Sequence, residues 1–268
     1  MKKKVVLGVI TLVALSLGAC GNKTVGNQKK VGNSDVAFGQ AARTSHACAW
    51  YVTKSKALPQ SNTPLQAIVI TQNGRALAFR VPGSFTLRAA TKLSIRQLRQ
   101  KGPTLARQDF TQKRRTLIAL TRRELATEEQ NLRRNQDATV VSFATIKTDK
   151  RLIRSYQRQL KKLQETKFKQ PRALRFSVTV IRKNRENQER IKVRTYDFVE
   201  AVTRTNNQTF RYQKTRHNIF TVPYTHTSEK TVQVGRATLG YYQNSHGDYS
   251  DYALTKLKTP NTKVKFDS

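Results

Sequence analysis

Four groups of side chains in this sequence have types and spacings that could do chemistry. The densest lies between Asp149 and Lys169, where Lys150, Arg151, Arg154, Arg158, Lys161, Lys162, Lys167 and Lys169 are opposed only by Asp149 and Glu165. On a helix, Arg154, Arg158, Lys161 and Lys162 fall largely away from an apolar stripe through Tyr156 and Leu160, forming a basic ridge. Solvated faces usually mix signs, so a ridge of one sign is a candidate anion site. Arginine pairs with phosphate bidentately. The chemistry expected here is neutralisation of phosphates on teichoic acid, anionic lipid headgroups or nucleic acid.

The second group is the run Tyr241 to Tyr252. It reads as a hairpin with its tip over Asn244 to Asp248 and tyrosines paired across the strands. Its other reading is a sugar-binding platform of aromatic rings. His246, Asp248 and Asp251 could be drawn as metal ligands or an acid–base group, but three such residues at a turn make no recognised ligand set. The third is Cys48, two residues from His46. A cysteine–histidine nucleophile needs spatial contact and a third orienting group, whereas Ala47, Ala49 and Trp50 suit a small buried hydrophobe. The sequence has no Gly-x-Ser-x-Gly elbow, His-Glu-x-x-His or phosphate-binding Gly-rich loop. It therefore assigns no catalytic residue, no metal ligand and no cofactor. The expectation is a non-enzymatic protein; an enzyme acting on wall or glycan, or an adaptor for another secreted protein, is the alternative.

The fourth group ends in Cys20. Lys2, Lys3 and Lys4 precede an apolar run from Val5 to Leu17, closed by Gly18-Ala19-Cys20-Gly21. Basic start, apolar stretch and small residues are the layout of a secretory signal, and the run is shorter than the roughly 20 residues a membrane span needs. Leu17 is too large for the position that ordinary signal cleavage wants small. Leu17-Gly18-Ala19-Cys20 instead resembles the lipobox of bacterial lipoproteins. That resemblance implies cleavage after residue 19 and a diacylglyceryl thioether on Cys20, whose two acyl chains (palmitate-like in length) hold a soluble domain on a membrane stably. Cys48 is then the sole free thiol and no intrachain disulfide can form.

Charge acquires its meaning from that address. The 268 residues carry 51 Lys and Arg against 16 Asp and Glu, a net charge of +35. Taking Lys2, Lys3 and Lys4 away with the signal leaves +32. A protein this basic attracts polyanions. On the outer face of the cell membrane, facing the cell wall, the nearest are teichoic acid and anionic lipids. Nucleic acid fits less well, because single-strand recognition interleaves aromatics with bases, and Phe210, Tyr212 and Phe220 sit in alternating strands that suit a core. Protein partners are not assigned.

The elements that must position these groups follow from periodicity. After the signal (1–19), residues 20–45 read as the lipidated cysteine and a flexible tether. Residues 46–170 read as a hairpin plus a helical region, and 171–268 as β-rich, either as one domain or as two. Strands are predicted at Trp50–Val52, 67–70 and 75–81, the last two joined by an Asn73-Gly74 turn that wants positive φ. Ser94 and Gln97 form a capping box for a short helix stopped at Gly102-Pro103. A helix with Ile118, Leu125 and Leu132 on one side spans about 111–135. A β-branched strand is predicted over 138–146, then a second long helix capped by Asp149 and closed by Pro171. Alternating strands follow at 174–180, 191–196, 209–214, 218–222, 231–242 and 249–258. The fold class is α+β: an N-terminal hairpin, a helical middle with two long basic helices, and a mostly antiparallel C-terminal sheet.

Trp50-Tyr51 soon after the tether, the Asn73-Gly74 hairpin and Leu93-Ser94 opening a helix resemble the small extracellular lipoproteins of lactobacilli and related Gram-positive bacteria. The likeness covers about residues 1–110. It implies an extracellular, membrane-tethered address and no activity. The long basic helices depart from it.

Overall fold

The computed structural model describes residues 35–140, 142–183, 186–203, 209–228, 230–259 and 261–267. The signal, Cys20 and the tether up to residue 34 lie outside the described residues. The fold is α+β, built on one antiparallel sheet. Its strands are β1 (Cys48–Ser55), β2 (Ala67–Gln72), β3 (Arg75–Arg80), β4 (Leu174–Arg175), β9 (His226–Thr227), β10 (Val232–Val234), β11 (Ala237–His246) and β12 (Tyr249–Lys256). They run in the order β10-β11-β12-β1-β2-β3-β4, with β9 against β11. Strands from the two ends of the chain are therefore neighbours, Trp50 facing Thr255 on one side and Val69 on the other.

The sheet is covered on both faces, which is why β1 is buried at five successive positions rather than at every second one. One face packs Tyr51, Ile68, Ile70, Phe79 and Leu254 against Leu87, Leu98, Leu105 and Ala106. These come from α2 (Leu87–Thr91) and the start of α3 (Ile95–Asp137). The other face packs Trp50, Val52, Val69 and Tyr242 beneath Phe38, Val178, Ile191 and Phe220. Phe38 belongs to α1 (Phe38–Arg43), and Val178 and Ile191 to the hairpin β5 (Ser177–Lys183)–β6 (Glu186–Lys192). A second hairpin, β7 (Arg194–Thr203)–β8 (Thr209–Asn218), leaves the sheet and meets α3, with Phe198 stacked on Phe110 at 5.2 Å between ring centroids.

Several expected boundaries move. The tether is shorter than 20–45 because Val36 bridges Val264 and the buried Phe38 ring lies 4.9 Å from Trp50. One apolar ring in a polar stretch is enough to dock it. The predicted stop at Gly102-Pro103 is absent, and α3 runs through both residues. Proline forfeits one helical N–H, but a helix held on a sheet tolerates that. Gly102 is there for contact: a Cβ at this position would sit 2.5 Å from the Phe79 ring. The strand predicted over 138–146 does not form among its described residues, and 143–146 are the first turn of a helix instead. α4 (Phe143–Glu165) begins at the cap Ser142, whose hydroxyl accepts the Thr145 N–H at 3.2 Å. Asp149 is inside that helix, not at its start. The strand expected at 218–222 is absent, because β8 runs past the expected 209–214 and ends at Asn218. The Asn73-Gly74 turn forms as read, with φ of 50° and 71°.

Candidate polyanion-binding surface

The helices α3 and α4 form an antiparallel arm. At its base Leu163 is buried, and the Arg114 guanidinium donates to the Thr166 carbonyl at 2.9 Å. Further out, Asn135 Nδ2 donates to Asp149 Oδ2 at 2.7 Å. The Thr121 hydroxyl turns back on its own helix, donating to the Leu117 carbonyl at 2.8 Å. Beyond Thr121 the described residues of α3 include no buried side chain, so the outer arm packs chiefly on itself.

With the inner face of α4 committed to α3, its outer face is fixed. Arg154, Arg158, Lys161 and Lys162 are all exposed. At about 100° per residue they share an arc of about 100°. Lys147, Lys150 and Arg151 fall on the same side and are also exposed. Phe143, Lys147, Lys150, Arg151, Arg154 and Arg158 are among the residues that line an open trough of about 920 Å³. Asp149 lies on the opposite side, and Glu165 is the one acid on the basic face, at its far end. The Arg158 Nε–H donates to the Arg154 carbonyl at 3.2 Å, which holds one guanidinium along the helix. Lys169 lies beyond the helix, its ammonium 5.0 Å over the Tyr196 ring. A stripe of this length can hold successive phosphates of a polyanion by charge-assisted hydrogen bonds. A helix expected to start at Asp149 leaves Lys147 out of the stripe. Ser142 ahead of Thr145 is the signal that would have found it.

The other candidates are not gathered into a reactive site. The tyrosines divide between the two faces of the sheet: Tyr241 and Tyr252 meet edge-on at 5.6 Å on one side, and Tyr242 stacks with Trp50 on the other. These three are buried and Tyr249 alone of the run's four tyrosines is exposed, so the rings do not gather into one platform. The hairpin tip is Gly247-Asp248, with His246 opposite Tyr249 in the ladder. Asp248 is exposed at that tip, while Asp251 is buried on β12 opposite Lys54. Among the described residues no group of three His, Cys, Asp or Glu is placed to hold a metal.

The Cys48 thiol contacts Thr255 Oγ1 at 3.3 Å rather than His46. Because that hydroxyl donates to the Ala49 carbonyl at 3.0 Å, the thiol is the donor of the pair. Burial pushes its pKa up, the opposite of what a nucleophile requires. Two carboxyl groups, Glu189 and Asp267, are buried without any local signal in the sequence. Glu189 Oε2 accepts the Asp267 N–H at 2.7 Å, and Asp267 in turn accepts N–H groups of Gly39 and Gln40 at the start of α1. They tie the segment around Asp267 to β6 and to the start of α1.

No helix among the described residues is long and apolar enough to cross a membrane. The chain matches no family model, no curated protein and no solved structure.

Proposed function

We propose that this chain is a non-enzymatic lipoprotein, held on the outer face of the cell membrane through Cys20, that binds anionic envelope polymers or lipids with the outer face of α4. The observation that carries the reading is the exposed one-signed stripe through Arg154, Arg158, Lys161 and Lys162. The lipobox-like Leu17-Gly18-Ala19-Cys20 supports the address. A hydrolase using Cys48 is disfavoured by the raised thiol pKa and by its partner Thr255.

The test has two arms. Palmitate labelling of cells expressing the chain should be abolished by Cys20→Ser. Replacing Arg154, Arg158, Lys161 and Lys162 together with Gln should weaken binding to purified polyglycerol-phosphate teichoic acid by about tenfold or more. It should also flatten the dependence of affinity on salt, since fewer counterions are released. Unchanged affinity across a salt series would remove this face as the ligand site.

A further inference from the structure

Among the described residues the exposed large apolar side chains are Leu58, Val140, Phe143 and Tyr249. Two of these stand apart in degree: Val140 is 91 % exposed and Phe143 80 %, against 42 % and 41 % for the others. Both sit where α3 turns into α4, at the free end of the arm. That end lies roughly 24 Å beyond Thr121 at 1.5 Å per residue.

We infer that this tip inserts into the surface of an anionic lipid bilayer. Val140 and Phe143 enter the acyl boundary while Lys147, Lys150, Arg151 and Arg154 hold the headgroup phosphates. The inference rests on the reading of α4 as an anion-binding face and names its partner. At about 100° per residue, Phe143 falls on the same side of α4 as Lys147, Lys150 and Arg154. An apolar anchor and a row of cations on one helix face is the arrangement that lies in a membrane interface, with area burial and lipid charge acting together. A soluble polyphosphate satisfies the cations but gives Phe143 nothing to enter. A protein groove of matching charge would need a long acidic track, whereas a bilayer supplies phosphate plane and apolar depth in one place.

The geometry also fits attachment at two points. Asp35, the first described residue, lines one cleft with Ser94 and Ile95 at the opposite end of α3. The tether thus enters the described fold near the end of α3 away from the tip, on a helix roughly 63 Å long. With Cys20 lipidated, tip binding is intramolecular at high effective concentration, so a weak tip suffices.

Phe143→Trp in the full chain provides a local reporter, because the native Trp50 is fully buried. Vesicles of phosphatidylglycerol and phosphatidylcholine should shift its emission to the blue, and brominated acyl chains should quench it. Pure phosphatidylcholine vesicles and soluble polyglycerol phosphate should do neither. Adding Gln at Lys147, Lys150, Arg151 and Arg154 should cut the affinity for anionic vesicles by about tenfold or more. Binding to anionic vesicles and to polyglycerol phosphate without any blue shift or quenching would overturn the tip while leaving the basic face intact. Loss of binding to both probes would overturn the two together.

Discussion

Asn135 and Asp149 meet side chain to side chain across the arm, with Nδ2 and Oδ2 2.7 Å apart. Asp149 is buried although two-helix arms of this kind have thin cores, and its partner lies within three residues of the end of α3. The bond joins the outer parts of the two helices on the side of α4 opposite its basic stripe. Hydrogen bonds to charged groups contribute about 1.5–3 kcal/mol.

Asp149→Ala should therefore loosen the outer arm by about that amount while leaving the sheet intact. Amide exchange over 122–160 should quicken, with the strands β1, β2 and β12 unchanged. A double replacement by leucine, Asn135→Leu with Asp149→Leu, should recover protection, because an apolar pair of similar size is no worse than the polar one. Unaltered exchange in Asp149→Ala would mean that the bond does not hold the outer arm.

Burial pushes the Glu189 carboxyl well above its ordinary range, and the adjacent Asp267 carboxylate pushes the same way. Asp267 is itself raised by burial, against the Gly39 and Gln40 N–H groups that lower it. A carboxyl whose pKa rises on folding holds its proton more tightly in the folded state. Its contribution is complete below the unfolded value, near 4, and is lost as pH climbs toward the folded value. Glu189→Gln should therefore raise the thermal midpoint at neutral pH and flatten its dependence on pH above about 4 relative to the parent. The comparison between the two proteins matters, since the excess of 51 basic over 16 acidic residues gives the whole chain its own acid sensitivity. Parallel midpoint curves would rule the pair out as a pH-sensitive contact.

Local signals in the sequence were legible where one residue type has one physical use. Asn73-Gly74 needed positive φ and has it; Ser94 and Gln97 exchange both capping bonds. The α+β class and the one-signed helix were legible for the same reason, since period and charge are local properties. What was not legible depends on partners distant in sequence. Asp267 is 228 residues from Gly39, and nothing near either announces the bond. Gly102-Pro103 looks like a helix stop until the Phe79 ring is placed against it.

That placement gives a test in which two opposing effects can be compared. Gly102→Ala in a helix interior gains about 1 kcal/mol of propensity. The added Cβ would lie 2.5 Å from a ring that is buried and packed in the sheet, so the ring or the helix must shift. Overpacking of this kind costs about 1–3 kcal/mol, more than the gain. Gly102→Ala should lower stability in denaturant, and Phe79→Leu should partly restore it in the double variant beyond additivity. A stabilised single variant would show that α3 can lift from the sheet at no cost.

Asp197 joins three elements at the base of the arm. Its Oδ2 lies 3.0 Å from Arg80 Nε on β3, and its Oδ1 lies 3.1 Å from the Lys113 ammonium on α3. The Arg80 N–H is not aimed along its line, so that contact is ionic rather than a hydrogen bond. Lys113 also reaches Asp109, whose carboxyl pKa is raised by burial despite that cation. Both members of the Arg80–Asp197 pair are largely buried, and removing Asp197 takes away the carboxylate beside the Arg80 guanidinium. Asp197→Ala should cost about 3 kcal/mol, with Arg80→Met in the same chain recovering part of it. Because β7 carries Asp197 and Phe198 onto α3, the single variant should also weaken protection of β7 before that of the central sheet. Equal loss in the sheet and in β7 would show that the hairpin does not open separately, and no loss would show that Phe110 and Phe198 hold the junction alone.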